Sequence, residues 1–313
     1  MKCIVHAAVI LTLSASCLLA PALAVAAPPD FSFGIINHAV KNSDESMLRR
    51  AITETDADNL AFVVVNGIKS PTEDCSDALY GQRRDLLNQA QNGLIMSLAA
   101  SDWALCKDEA QQSDAIERLS RVREMFYGGE LSFGASKLPL LRQSLTAKFR
   151  SYTENARWEF GNTLFATVNL PANNNHFLQS GGRNSEFEDR LIANRNWLQH
   201  LFAYAALKKS GAIVFFTDGN PFGPPPKRSF LRTQRDGFSE TRRLFSELSE
   251  KFRGRVLIVH GEMSKTSGEK QPNRIAWTGN LGQVGVGDKW LKINVHEASA
   301  QIFSVAASDQ SKP

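Results

Sequence analysis

The chain has 313 residues, 42% of them hydrophobic and 22% charged, which is the make-up of an ordinary globular protein. Without Lys2, the basic residue of its leader, 35 basic side chains stand against 32 acidic ones, a net of +3. So small an excess argues against nucleic acid or an anionic membrane surface as the partner.

The first residues read Met1-Lys2, then an apolar run from Ile4 to Leu23 softened by Ser14 and Ser16, then Ala24, Val25, Ala26 and Ala27 before Pro28-Pro29. A basic start, an apolar middle and an A-x-A end define a secretory signal over residues 1–26, cut after Ala24-Val25-Ala26. The run is short and broken by Pro21 and the serines, which weighs against an uncleaved anchor. Cys17 lies inside the run with no leucine three residues before it, which weighs against a lipoprotein. No later run is long enough to span a bilayer, so no stable membrane span is expected after cleavage. The expectation is a periplasmic or secreted protein with one domain over 27–306 and a small polar tail over 307–313.

In chain order, strands are predicted over 31–36, 61–65, 94–98, 164–170, 212–216 and 256–259. Most are nearly continuous in apolar residues, as strands covered on both faces are. Helices fall between them. Residues 186–208 set Phe187, Leu191, Leu198, Leu201, Phe202 and Ala205 near one face, and residues 237–252 do the same with Phe238, Phe245, Leu248 and Phe252. The alternation implies βαβ units and a central sheet covered by helices. Residues 274–277, 290–295 and 301–305 read as antiparallel strands joined by turns. Residues 221–226, rich in Pro and Gly, read as a loop. Gly279, Gly282, Gly285 and Gly287 precede a strand rather than a helix, so they read as a turn or bulge and not as a phosphate loop. The basic residues Arg228, Arg232, Arg235, Arg242 and Arg243 read as a solvated helix face. Of the four cysteines, Cys3 and Cys17 leave with the leader. Cys75 and Cys106 remain, and in an oxidising compartment they are expected to pair. A loop of that length contributes roughly 3–4 kcal/mol on the chain-entropy argument.

In open α/β sheets ligands bind beyond the carboxyl ends of the strands. The residues there are Asn37-His38, Asn66-Gly67-Ile68-Lys69-Ser70, Ala99-Ala100-Ser101-Asp102-Trp103, Asn173-Asn174-Asn175-His176, Thr217-Asp218-Gly219-Asn220 and His260-Gly261-Glu262-Met263-Ser264. This set resembles the calcineurin-like metallophosphoesterase superfamily, in an exported bacterial branch, over about residues 31–305. The specific part is the flanks: Ile68-Lys69-Ser70, Cys75-Ser76-Asp77, Arg83-Arg84-Asp85-Leu86-Leu87-Asn88, Trp103 and Cys106. The resemblance implies a four-layer α/β/β/α sandwich with mixed central sheets covered by helices. It also implies a dinuclear metal centre at the strand ends, and there the match fails. Asn37 or His38 stands where the first Asp belongs, Gly67 where the bridging Asp belongs, and Ser101 where the Asn belongs. Asp218 or Gly219 takes the place of one His and Ser264 of the last, while His260 is kept.

Two divalent ions roughly 3.5–4 Å apart repel, and a carboxylate must lie between them. Gly67 supplies none, Asn37 brings no charge, and Ser101 and Ser264 are poor ligands. The expectation is therefore no cofactor and a catalytically degenerate descendant that binds a small molecule or an envelope protein. Its pocket is expected to be lined by Asn37, His38, Asn66, Asp102, Asn174, His176, Asp218 and His260. The alternative is an active metal-dependent phosphoesterase with a rearranged site, carried by His38, Asp218, His260 and Glu262. His200 and His296 read as structural.

Overall fold

The computed structural model describes residues 29–41, 43–178, 184–225, 235–261 and 274–306. The leader, the tail, Glu262, Ser264, Arg228 and Arg232 lie outside these described residues. The chain is an α/β protein with two mixed sheets.

In the first sheet, β1 (Phe31–Asn37), β2 (Val63–Asn66) and β3 (Leu94–Ser97) run parallel, and β11 (Leu291–Val295) and β12 (Phe303–Val305) continue it antiparallel beside β1. In the second, β6 (Thr163–Thr167), β7 (Ala212–Thr217), β8 (Arg255–His260) and β10 (Leu281–Gly285) are parallel. Antiparallel strands close both of its sides: β4 (Leu141–Arg142) and β5 (Ala156–Phe160) on one, β9 (Ala276–Thr278) on the other.

Three cores follow from strands buried on both faces. Phe33, Ile35, Phe62 and Val64 of the first sheet meet Trp158, Phe165, Val214, Phe216 and Val259 of the second in one cluster. Ile36, Val63, Val65 and Met96 point the other way, to helices α1 (Glu45–Asp56), α2 (Asp77–Asn88) and α3 (Ala115–Phe126). Leu164, Ile213, Phe215 and Ile258 pack beneath α5 (Ser185–Lys208) and α6 (Ser239–Lys251). Alternate residues of one strand thus serve two cores, which is why these segments read as unbroken apolar runs. Helix starts are set by side chains: Asp44 accepts from Met47 N at 3.0 Å before α1, and Ser76 from Leu79 N at 3.3 Å before α2. No described helix is long and apolar enough to cross a membrane.

The C-terminal strands differ from the sequence reading in one respect. Gly282 and Gly285 lie inside β10, which is parallel to β8, and only Gly279 sits in a turn, at φ +63°. A Cβ on Gly282 would come within 2.8 Å of Ile275 and Trp277, so glycine there makes room for the indole. Cys75 and Cys106 form a disulfide, with Cα atoms 5.8 Å apart.

Candidate functional site

Because β1–β3 and β6–β8 run parallel within their sheets, their carboxyl ends gather at one edge. There the two sheets are tied by amides. Asn66, the last residue of β2, donates from Nδ2 to Asn37 Oδ1 at 3.0 Å and to Asp218 Oδ1 at 3.1 Å. Asn37, the last residue of β1, donates from its own Nδ2 to the carbonyls of Gly261 and Val286, at 2.9 and 2.8 Å. Asp218 follows β7, and its Oδ2 takes the backbone N–H of both Ala100 and Ala172 at 2.7 Å. All three side chains are buried. A Cβ on Gly261 would stand 2.3 Å from Asn66 Nδ2, so glycine is needed for the amide to lie where it does. Burial raises the Asp218 carboxyl above its usual range, and the three N–H donors oppose that rise.

A second carboxylate sits beside the first. Asp102 accepts from Ile68 N and Ala99 N, each at 2.9 Å. It is fully buried, and that burial outweighs the two N–H bonds and nearby Lys69, holding the carboxyl up at about 7. Lys69 donates to the carbonyls of Ser70 and Ser101, and Tyr80 to that of Asp102. Lys69 and Tyr80 thus brace the loops that carry Asp102.

His38 belongs to a separate cluster. Its Nδ1 lies 2.6 Å from Ser43 Oγ, and its Nε2 lies 3.8 Å from Glu73, which also holds Arg83. Burial keeps the imidazole's pKa down at about 4, so it is neutral at pH 7. The Asn-rich stretch forms α4 (Ala172–Asn175), and it is not an ordinary turn. Asn173, Asn174, Asn175 and His176 all have φ between 50° and 62°. Left-handed backbone costs L-residues roughly 1–2 kcal/mol each, less for Asn, and rarely persists beyond one residue. Here it is held from several sides. Asn174 bonds Gly237 N and Arg235 O, and Asn175 bonds Gly237 O. The buried Arg190 reaches Asn175 Oδ1 at 2.5 Å and its carbonyl at 3.0 Å. His176 lies edge-on to Trp103, 4.7 Å between centroids, with its pKa lowered by burial. A strained stretch this well secured positions Ala172 N on Asp218.

The structure therefore brings together Asn37, Asn66 and Asp218 through hydrogen bonds, and Asn66 and His260 line one small cavity. Asp102 and the Asn174–His176 turn buttress them, and His38 is turned to other partners. The cavity between the strand ends holds about 10 Å³, room for one water at most. Of the basic residues, Arg242 is paired with Asp236 and Arg243 with Glu247.

These donors do not fit a dinuclear centre. Both Asp218 oxygens are taken by N–H groups and the Asn66 amide presents hydrogens. Gly67, at φ +75°, has Ala39 and Ala99 Cβ atoms 3.0 Å from where its own would stand. Among the described residues no three His, Cys, Asp or Glu side chains stand together as metal ligands.

The chain matches no protein-family model and no curated protein. One solved structure aligns over 85% of this chain and 95% of its own length, at a TM-score of 0.37 and 9% identity, a likeness too loose to bear on fold or function.

Proposed function

We propose that this protein is a metallophosphoesterase-like protein of the bacterial envelope, an α/β/β/α sandwich whose strand-end site no longer turns over phosphate esters and acts by binding a small molecule or an envelope protein. The leader pattern of residues 1–26 supports export, and the Cys75–Cys106 disulfide suits an oxidising compartment. The flanking motifs from Ile68 to Cys106 support the family. One observation carries the reading. The Asn66 amide lies between Asn37 and Asp218, where the family's chemistry calls for cations between anionic ligands, and it points N–H hydrogens at the oxygens that would have to face a cation.

The test is metal analysis of the purified mature protein together with turnover of an aryl phosphate in the presence of added manganese and zinc. The reading expects substoichiometric metal and no turnover above the uncatalysed rate. Stoichiometric metal with turnover that His260→Ala abolishes would instead establish a rearranged but active phosphoesterase.

A further inference from the structure

At the opposite end of β1 three side chains from neighbouring strands stand in line. Asp30 precedes β1, His296 follows β11, and Ser304 lies in β12. The register places them: Phe31 is opposite Val295, and Val295 is opposite Phe303. Asp30 Oδ2 is 2.7 Å from His296 Nδ1, and His296 Nε2 is 3.1 Å from Ser304 Oγ. A carboxylate only accepts, so Nδ1 carries the proton in the neutral ring and Nε2 is left to accept from the serine hydroxyl. That is the order of contacts by which an acid orients a base and the base activates a nucleophile.

A fourth group completes the set. Asn294 Nδ2 is 3.4 Å from Ser304 Oγ, while its Oδ1 takes the Ser32 hydroxyl at 2.7 Å. Ser32 thereby turns the NH₂ of Asn294 toward Ser304, where it can donate to an oxyanion. Asp30, His296 and Ser304 open on a shallow hollow of about 530 Å³ lined also by Ala298, Ser299 and Gln301, and Asn294 stands behind Ser304. The His296 side chain is 37% exposed, so a substrate can reach it.

We propose that Ser304, His296 and Asp30 form a serine-hydrolase site acting on short-chain carboxylic esters, with Asn294 as oxyanion donor. The hollow is shallow, its walls are about half polar and half apolar, and it has no deep apolar slot, which fits a small acyl group. Ser304 Oγ bonds to the ester carbonyl carbon as its proton passes to His296 Nε2. The C–O bond to the alcohol then breaks, and the alcohol leaves with that proton. Water bonds to the acyl carbon as its proton passes to Nε2, the bond from that carbon to Ser304 Oγ breaks as Nε2 returns the proton to Oγ, and the carboxylic acid is released. Ester and water become acid and alcohol, and nothing else is consumed. This site shares no residue with the strand-end knot, so its fate is independent of the phosphoesterase reading.

The experiment exposes the mature protein to a fluorophosphonate probe, maps the labelled peptide by mass spectrometry, and follows p-nitrophenyl acetate hydrolysis. The expected result is label on Ser304. His296→Gln should slow both labelling and hydrolysis at least about 100-fold, the contribution of a general base. Asn294→Ala should slow hydrolysis by about 100-fold, and the Asn294→Gln variant should recover part of it. Wild-type protein that takes no label at Ser304, or labels as fast with His296→Gln, overturns the proposal, whatever the stability of the variants.

Discussion

The two ends of β1 use the same few residue types to opposite effect. At its carboxyl end Asn37, Asn66 and Asp218 are buried, and each contact is spent on backbone or on another member of the group. At its amino end Asp30, His296 and Ser304 hydrogen-bond in a chain open to solvent. Buried polar groups must be satisfied internally, so the first set acts as a clasp between sheets. The second set is anchored on one side only, and an exposed base beside a hydroxyl is free to do chemistry. Composition alone does not separate the two; access to solvent does.

Substitutions at the clasp should cost stability, and those at the open end should cost little. Asp218→Ala strands three donors in a dry site and should lower unfolding stability by about 3–5 kcal/mol, read from urea midpoints. Replacing both Cys75 and Cys106 with Ala, which frees the loops behind the clasp, should lower it by about 3–4 kcal/mol. Gly67→Asp adds a carboxylate at the strand ends, yet it meets left-handed backbone and two Cβ atoms at 3.0 Å. It should cost about 2–4 kcal/mol and bring no metal binding by calorimetry.

The pH dependence offers a finer test. Between pH values of about 4 and 7 the folded chain keeps the Asp102 proton that the unfolded chain has released, so this group's contribution falls as pH rises through that window. His38 acts in the other direction. From about 4 up to its usual 6.5 the unfolded chain binds the extra proton, and stability rises with pH. The stability of Asp102→Asn relative to wild type should therefore climb from acid to neutral pH, and that of His38→Gln should fall. The smallest effect belongs to Ser304→Ala, which should stay within about 0.5 kcal/mol of wild type in the same urea measurement while losing its fluorophosphonate label.

The main strands were legible because they are buried on both faces, which leaves a continuous apolar signal in the sequence. Ala156–Phe160 escaped because Arg157 and Glu159 alternate with Ala156 and Trp158 over only five residues. Strand β10 is not legible because its glycines, of which Gly282 accommodates Trp277, look like turn residues. The three helices over the first sheet were not delimited: their apolar positions are few, and their starts are set by Asp44 and Ser76, single polar residues among many. Asn37, Asn66 and Asp218 were picked out by their place after strands, but not their mutual contacts, since 152 residues separate Asn66 from Asp218. The left-handed run Asn173–His176 carried one readable sign, the tolerance of Asn for that conformation. The contact of His296 with Asp30 is not legible in the sequence, because the two lie 266 residues apart and no spacing rule joins them.

In the proposed reading, hydrogen-bonded amides stand where a metallophosphoesterase would hold cations between the strand ends. That reading is tested most directly by the thermal midpoint of the mature protein with chelator and with excess manganese or zinc. A metal that binds the folded state at 100 times its Kd adds about 2.7 kcal/mol and raises the midpoint by several degrees. The clasp predicts the same midpoint in all three conditions; a metal-dependent rise that disappears in Asn66→Ala would contradict it.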